Sequence, residues 1–270
     1  MLTIGSSSEI LRQYNLKEAA TMLASQGYDT IEIWMGHYYK SGLTPLEVKK
    51  IMDELGLTYQ VHADVRDVNL TSTNVGIRKE SLKQTLETIE IVSEMKARTL
   101  TLHPGRMSSS KDQPEDFWDE QIRSFQEIAT HAEKYNVLVG VENMEKRPKE
   151  FVLHLEDVQK LIQSVNSPHL GLTLDLAHYH SVGDVENFVR SLDIPIVNVH
   201  ISQASTGKMH LPFEAEEEGM ISFEQVLPEV AKKYQGPLII ESYVHGREQE
   251  MVQDNYRWLK RCLERCKLHS

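Results

Sequence analysis

Short apolar runs alternate with stretches of helical periodicity along the whole chain, and six of the runs end in an acid or an imidazole. In Leu170-Gly-Leu-Thr-Leu-Asp-Leu-Ala-His-Tyr-His180, the residues Leu170, Leu172 and Leu174 alternate with Gly171, Thr173 and Asp175. Period 2 puts the bulky set on one face and the small, polar set on the other. This predicts a barrel strand whose leucines face helices, whose Gly171 and Thr173 line a crowded interior, and whose Asp175 emerges where the strand stops. Taken alone, Asp175 reads equally as a helix cap. Tyr59-Gln-Val-His62, Thr99-Leu-Thr-Leu-His103, Val137-Leu-Val-Gly-Val-Glu142, Ile196-Val-Asn-Val-His200 and Leu238-Ile-Ile-Glu241 end the same way. Ligand-type side chains placed so regularly at one end of successive strands point to a shared site.

In order, the chain reads as eight strand–helix units. The strands cover residues 2–5, 30–34, 59–62, 99–103, 137–142, 170–175, 196–200 and 238–241. Helices are expected over 16–26, 44–56, 77–95, 114–135, 155–165, 185–192, 223–234 and 251–266, with Gly27, Gly56 and Pro168 among the breakers. Residues 202–220 read as a long loop with an acidic cluster at 214–218. Eight alternating units predict a parallel (β/α)8 TIM barrel of α/β class, and residues 1–270 read as one domain, a length usual for such barrels. Chemistry in such barrels sits at the carboxyl ends of the strands, so the polar strand ends should converge on one mouth.

Composition narrows the function. The net charge of −11, from 29 basic and 40 acidic residues, repels polyanions and argues against nucleic acid as the partner. No run approaches the roughly 18 apolar residues of a membrane span. The first residues enter a strand without the layout of a signal peptide, so a cytoplasmic location is expected. Cys262 and Cys266, four apart on the last helix, read as free thiols. A barrel wrapped by helices can pair through its helical layer; a homodimer fits this pattern, although no face is singled out.

Carboxylates with neutral imidazoles suit a divalent metal, zinc or manganese. Glu142, Asp175, His200 and Glu241 form one candidate site. A metal there could bind adjacent oxygens of a sugar and acidify a neighbouring C–H, with Glu142 and Glu241 giving and taking the proton. His62 and His103 could hold a second ion or bond to substrate. His178 and His210 could add a further pair, or be polar surface residues. Trp34, His37, Tyr38 and Tyr39, just past the second strand, could stack on a sugar, wedge into DNA or simply pack on the barrel rim. Arg66, Arg106, Arg147 and Arg247 are placed after strand ends where a phosphate could be read.

These residues resemble the xylose isomerase-like barrel superfamily, which contains sugar isomerases and epimerases and the endonuclease IV class of apurinic DNA repair enzymes. The resemblance spans nearly the whole chain and rests on Val61-His-Ala, Leu102-His-Pro-Gly105, Val141-Glu-Asn143, Leu174-Asp-Leu-Ala-His178, Val199-His200, His210-Leu-Pro and Glu241-Ser. It implies that Glu142, Asp175, His200 and Glu241 are metal ligands, and that the two glutamates are the acid–base pair of the epimerases. The stretch from His62 through Asn69-Leu-Thr-Ser72 and Ser81-Leu82 to His103-Pro-Gly105 is similar to the repair nucleases in particular. Their trinuclear zinc cluster implies ligand roles for His62, His103, Glu142, Asp175, His178, His200, His210 and Glu241, eight of nine positions. At the ninth, Lys208 stands where the family has Asp, and an ammonium beside His178 and His210 would repel a third ion. The Asp-Ser-Lys segment of those nucleases is replaced by Ile201-Ser-Gln-Ala-Ser205.

The expectation is a metal-dependent isomerase or epimerase of a small sugar or sugar phosphate, with Trp34, Lys208 and Arg247 as substrate contacts. The alternative is a zinc phosphodiesterase acting at abasic sites in DNA. A third reading is a binding module that keeps its metal without turnover.

Overall fold

A computed structural model describes residues 1–268. Ten strands form in chain order: β1 (Thr3–Ser7), β2 (Thr30–Trp34), β3 (Thr58–His62), β4 (Thr99–Leu102), β5 (Leu138–Glu142), β6 (Leu170–Asp175), β7 (Ile196–Ile201), β8 (Gln203–Ser205), β9 (Lys208–Leu211) and β10 (Pro237–Ile240). Eight of them close a parallel barrel in the order β1-β10-β7-β6-β5-β4-β3-β2, while β8 and β9 pair antiparallel outside it. The helices are α1 (Leu16–Gln26), α2 (Met35–Ser41), α3 (Pro45–Leu55), α4 (Val75–Glu94), α5 (Trp118–Tyr135), α6 (Leu155–Val165), α7 (Leu176–His180), α8 (Val185–Ser191), α9 (Phe223–Lys233) and α10 (Glu248–Arg265). The chain is therefore the α/β (β/α)8 TIM barrel expected from its periodicity. No helix among the described residues is long and apolar enough to cross a membrane.

Local chemistry sets the helix ends. Asn15 and Glu18 close a capping box on α1, and Thr44 with Glu47 does the same for α3, each satisfying amide donors that a helix start leaves free. Gly27 (φ 92°) and Gly56 (φ 69°) end these helices in the left-handed conformation.

Period 2 then sorts the strands into two faces. Val139, Val141, Leu172, Leu174, Val199 and Ile201 are fully buried in the continuous apolar core. The alternate set meets inside the barrel, where Thr101 Oγ1 and Thr173 Oγ1 stand 3.0 Å apart and the Asn198 side chain reaches Glu32 on a distant strand. This polar layer, Glu32, Gln60, Thr101, Thr173 and Asn198, is buried throughout. Stepping two residues on from each member leads to Trp34, His62, His103, Asp175 and His200. The interior therefore changes within one pleat from a hydrogen-bonded plug to a ring in which four ligand-type side chains stand beside Trp34.

Two segments differ from expectation. The 202–220 stretch contains the β8–β9 hairpin, anchored because Gln203 Oε1 accepts from Ile221 N (2.9 Å) and its Nε2 donates to Ile221 O (3.2 Å). The residues after β2 are not a rim loop but α2, in which the His37 ring contacts the carbonyls of Ser8 (3.1 Å) and Tyr14 (3.0 Å). His37 is thereby a buried tie between α2 and the β1–α1 connection, and Tyr39 is exposed.

Candidate metal centre

The strand ends converge as the pattern requires. Glu142, Asp175, His200 and Glu241 each offer a ligand atom within 4.8 Å of the others. His200 Nδ1 lies 3.2 Å from Glu142 Oε1, 3.6 Å from Glu241 Oε2 and 3.9 Å from Asp175 Oδ2. Ligands bound at about 2.1 Å in a tetrahedron stand about 3.4 Å apart, so a divalent ion fits between them with little rearrangement. Asp175 is a helix cap with one oxygen to spare. Its Oδ1 accepts from His178 N (2.7 Å) and caps α7, while Oδ2 is buried with no hydrogen-bond partner. A buried carboxylate oxygen left unpartnered is costly unless a cation meets it. Asn143 fixes this corner, since its Nδ2 donates to Asp175 O and its Oδ1 accepts from Asp175 N, both at 2.9 Å.

Glu142 links this group to a second. Its Oε2 lies 3.0 Å from His103 Nε2 and 3.3 Å from His62 Nε2, and those three residues form another candidate ion-holding set. Trp34 stacks on the His62 ring at 4.0 Å and 12°. His178 Nδ1 approaches Glu142 Oε1 at 3.3 Å, and the His178 and His210 rings meet edge to face at 5.3 Å. His210 Nδ1 is 4.0 Å from Glu241 Oε2 and 3.2 Å from Ser202 Oγ. His210 sits at φ 54°, a strained conformation for a histidine, held by the hairpin.

The electrostatics suit cation binding. Burial pushes the His103, His178 and His210 imidazoles down, keeping them neutral and able to donate a lone pair. Burial, reinforced by the charges of Glu142 and Asp175 against the pull of His200, pushes the Glu241 carboxyl up to about 8. Burial and the Glu142 charge raise Asp175 to about 6. Burial alone would raise Glu142 as well, but the imidazoles of His200 and His103 hold it well below the usual carboxylate range.

A cavity of about 500 Å³ is walled by Trp34, His62, His103, His178, His210, Glu142 and Glu241, and rimmed by Arg106, Arg147, Met209 and Tyr243. Two expected contacts lie outside it. Lys208 is exposed on β9, with its ammonium 2.6 Å from Glu217, and Arg247 is paired with Glu250 through Nε at 2.8 Å. The ammonium expected to repel an ion at His178 and His210 is thus turned toward an acid on the surface. Arg66 bonds Glu9, and Arg147 bonds Glu145. Glu32, missed in the sequence because it sits mid-strand, is fully buried with Oε1 2.9 Å from His200 Nε2. Its signal was its place two residues before Trp34, on the face that carries the strand-end ligands.

Known proteins agree with this architecture. An uncharacterized protein of Methanocaldococcus jannaschii is 27% identical over 251 residues, covering 89% of this chain and 84% of that one. A probable endonuclease 4 of Malacoplasma penetrans is 26% identical over 141 residues, 49% of this chain and 48% of its own. Among solved structures, a D-tagatose 3-epimerase-like protein superposes with a TM-score of 0.86 at 25% identity over 98% of both chains. The model of one family matches residues 20–262, nearly the whole barrel, and the chain belongs to that family, the xylose isomerase-like TIM barrels.

Proposed function

We propose that the protein is a divalent-metal-dependent isomerase or epimerase of a small sugar or related hydroxyketone. The observation that carries this reading is the four-ligand group of Glu142, Asp175, His200 and Glu241, two of which, Glu142 and Glu241, line a cavity of about 500 Å³. The likeness to a D-tagatose 3-epimerase-like protein supports it. Zinc and manganese both suit the donor set of three carboxylates and one imidazole. A bound ion would supply Lewis-acid polarisation of a substrate carbonyl and acidify the adjacent C–H.

The chain's own residues do the rest. Glu142 follows from β5 and Glu241 from β10, with β6 and β7 between them in the barrel order, so the two carboxyl groups approach the cavity from different sides. One takes the proton from carbon and the other returns it, the arrangement that inverts a stereocentre. His178 and His210, neutral at working pH, are placed to bond substrate hydroxyls, and the Trp34 face to cover the sugar's apolar side. Arg106 at the rim is the remaining candidate for a substrate phosphate.

A second reading, phosphodiester cleavage at abasic DNA, draws on the adjoining His62, His103 and Glu142 group and on the half-length likeness to a probable endonuclease 4. The charge of −11 weighs against it. One experiment ranks the two. Zinc- and manganese-loaded protein is incubated with ketoses and their phosphates in deuterated water, and separately with a duplex holding one abasic site. Exchange into carbon without nicking is expected, with at least a 100-fold loss of exchange in both Glu142→Gln and Glu241→Gln. Metal-dependent nicking that is lost in Glu142→Gln would reverse the order.

A further inference from the structure

We propose that Arg106 selects a substrate carrying an anionic group, a phosphate or a carboxylate, and that Asn69 and Thr71 are the positioning residues that hold it at the cavity. The proposal rests on the isomerase or epimerase reading above and narrows its substrate class to acidic hydroxyketones.

Charge pairing along the cavity wall carries the argument. Three arginines line the cavity, Arg12, Arg106 and Arg147. Two of them are matched by carboxylates of the same wall. Arg12 Nη1 lies 2.9 Å from Glu9 Oε1, and Arg147 pairs with the buried Glu145. Arg106 is exposed, and its hydrogen bonds all run through its backbone. Among the described residues its guanidinium therefore has neither an ion pair nor an acceptor. The acid that feels its charge is Glu150, whose carboxyl burial pushes up to about 7 against Arg106 and Arg147. A carboxyl partly protonated at neutral pH does not cancel a guanidinium that stays charged. A guanidinium left without a counter-ion at a cavity wall suits an oxyanion, which it binds through two parallel N–H donors.

The base of this side chain is fixed. Arg106 N donates to Asn69 Oδ1, while Arg106 O accepts from Asn69 Nδ2 and Thr71 Oγ1, all at 2.9 Å. Asn69 Oδ1 also accepts from Thr71 N (3.1 Å), which ties the two positioning residues together. The neighbours on both sides are held as well, since Gly105 N donates to Gln121 Oε1 (2.8 Å) and Met107 N to Lys149 O (2.9 Å). A Cβ at Gly105 would meet Thr71 Oγ1 at 2.4 Å and Gln121 Oε1 at 2.7 Å, so the close approach of the two loops needs glycine here. The stretches Asn69-Leu-Thr71 and His103-Pro-Gly105, similar to those of the repair nucleases, thus form in this chain a clamp beneath Arg106. An arginine anchored at three successive backbone positions has less freedom to lose when it takes an anion.

The test measures, by calorimetry, binding of pentuloses and hexuloses to the manganese-loaded protein. Each sugar is offered as the free ketose and as its terminal phosphate, and the hexuloses also as their C6 carboxylates. Wild type should bind an anionic form about 10-fold or more tighter than the free ketose, and the form preferred identifies the anion. Arg106→Gln should weaken that form about 10- to 100-fold, the loss of one charge-assisted pair, and Arg106→Lys should recover part of it. Asn69→Ala should weaken the anionic form more than the free ketose, whereas a purely structural loss would weaken both alike and overturn the clamp. Arg265→Gln, which removes the same charge from an exposed position on α10, is the control and should keep the preference. Free ketoses bound as tightly as the anionic forms, or a preference retained in Arg106→Gln, overturn the proposal and leave the isomerase reading standing. A preference that Arg106→Gln removes, in a protein that exchanges no substrate proton, supports Arg106 as the anion site and overturns the isomerase reading. Binding of no ketose in any form overturns both.

Discussion

Single residues in the barrel interior are held by space as much as by hydrogen bonds. A Cβ at Gly140 would lie 2.2 Å from Thr173 Oγ1 and 3.2 Å from Thr173 N. That hydroxyl cannot turn away freely, because it shares a buried hydrogen bond with Thr101 directly beneath the ligand ring. Gly140→Ala should therefore cost about 1–3 kcal/mol, the usual range for overpacking. The check is a lower urea midpoint with an unchanged slope. Asp175 illustrates a different economy. One of its oxygens caps a helix and the other is buried without a partner, so the capping reading of its position leaves the ligand reading open.

At the scale of an element, the segment that follows β5 carries a titration separate from the candidate metal ligands. Burial pushes Glu150 up to about 7, against the opposing charges of Arg106 and Arg147. A carboxyl raised above its unfolded value binds its proton more tightly in the folded chain. The folded state is therefore favoured at low pH, and this contribution is lost as pH rises from about 4.5 to about 7. Glu150→Gln should flatten that slope, leaving stability unchanged near pH 4 and higher at pH 8 by at most about 3 kcal/mol. Denaturation of both proteins across this range checks it, and parallel curves would refute the assignment. The β8–β9 hairpin is the other element with its own logic. Its Gln203 anchor and the bond from Tyr243 N to His210 O (3.1 Å) set Met209 and His210 over the cavity while Lys208 faces solvent.

For the whole molecule, a metal held by this group would couple its binding to folding. Glu142, Asp175 and Glu241 are well separated in the chain and meet only in the closed barrel, so a cation held between them would bind the folded state and not the unfolded one. Metal at 100 times its dissociation constant should stabilise the fold by about 2.7 kcal/mol. In a chain of this size that raises Tm by roughly 5–10 °C, and a chelator should reverse it. Scanning calorimetry with and without zinc or manganese makes the measurement; a Tm indifferent to metal would count against the site.

The barrel and the convergence of its polar strand ends were legible in local pattern. Alternation at period 2 marks which face of a strand is which, and an acid or imidazole ending run after run marks where the strands open, so His62, His103, Glu142, Asp175, His200 and Glu241 could be named without coordinates. Glu32 was passed over because it sits mid-strand: period 2 puts it on the inner face of Thr30-Ile-Glu-Ile-Trp34, but only closure of the barrel sets it against His200, 168 positions away. The directions of Lys208 and Arg247 depend in the same way on where Glu217 and Glu250 fall once the loop and the last helix are placed. Local periodicity reports the face of one element, whereas the pairing of buried charges depends on which elements the fold brings together.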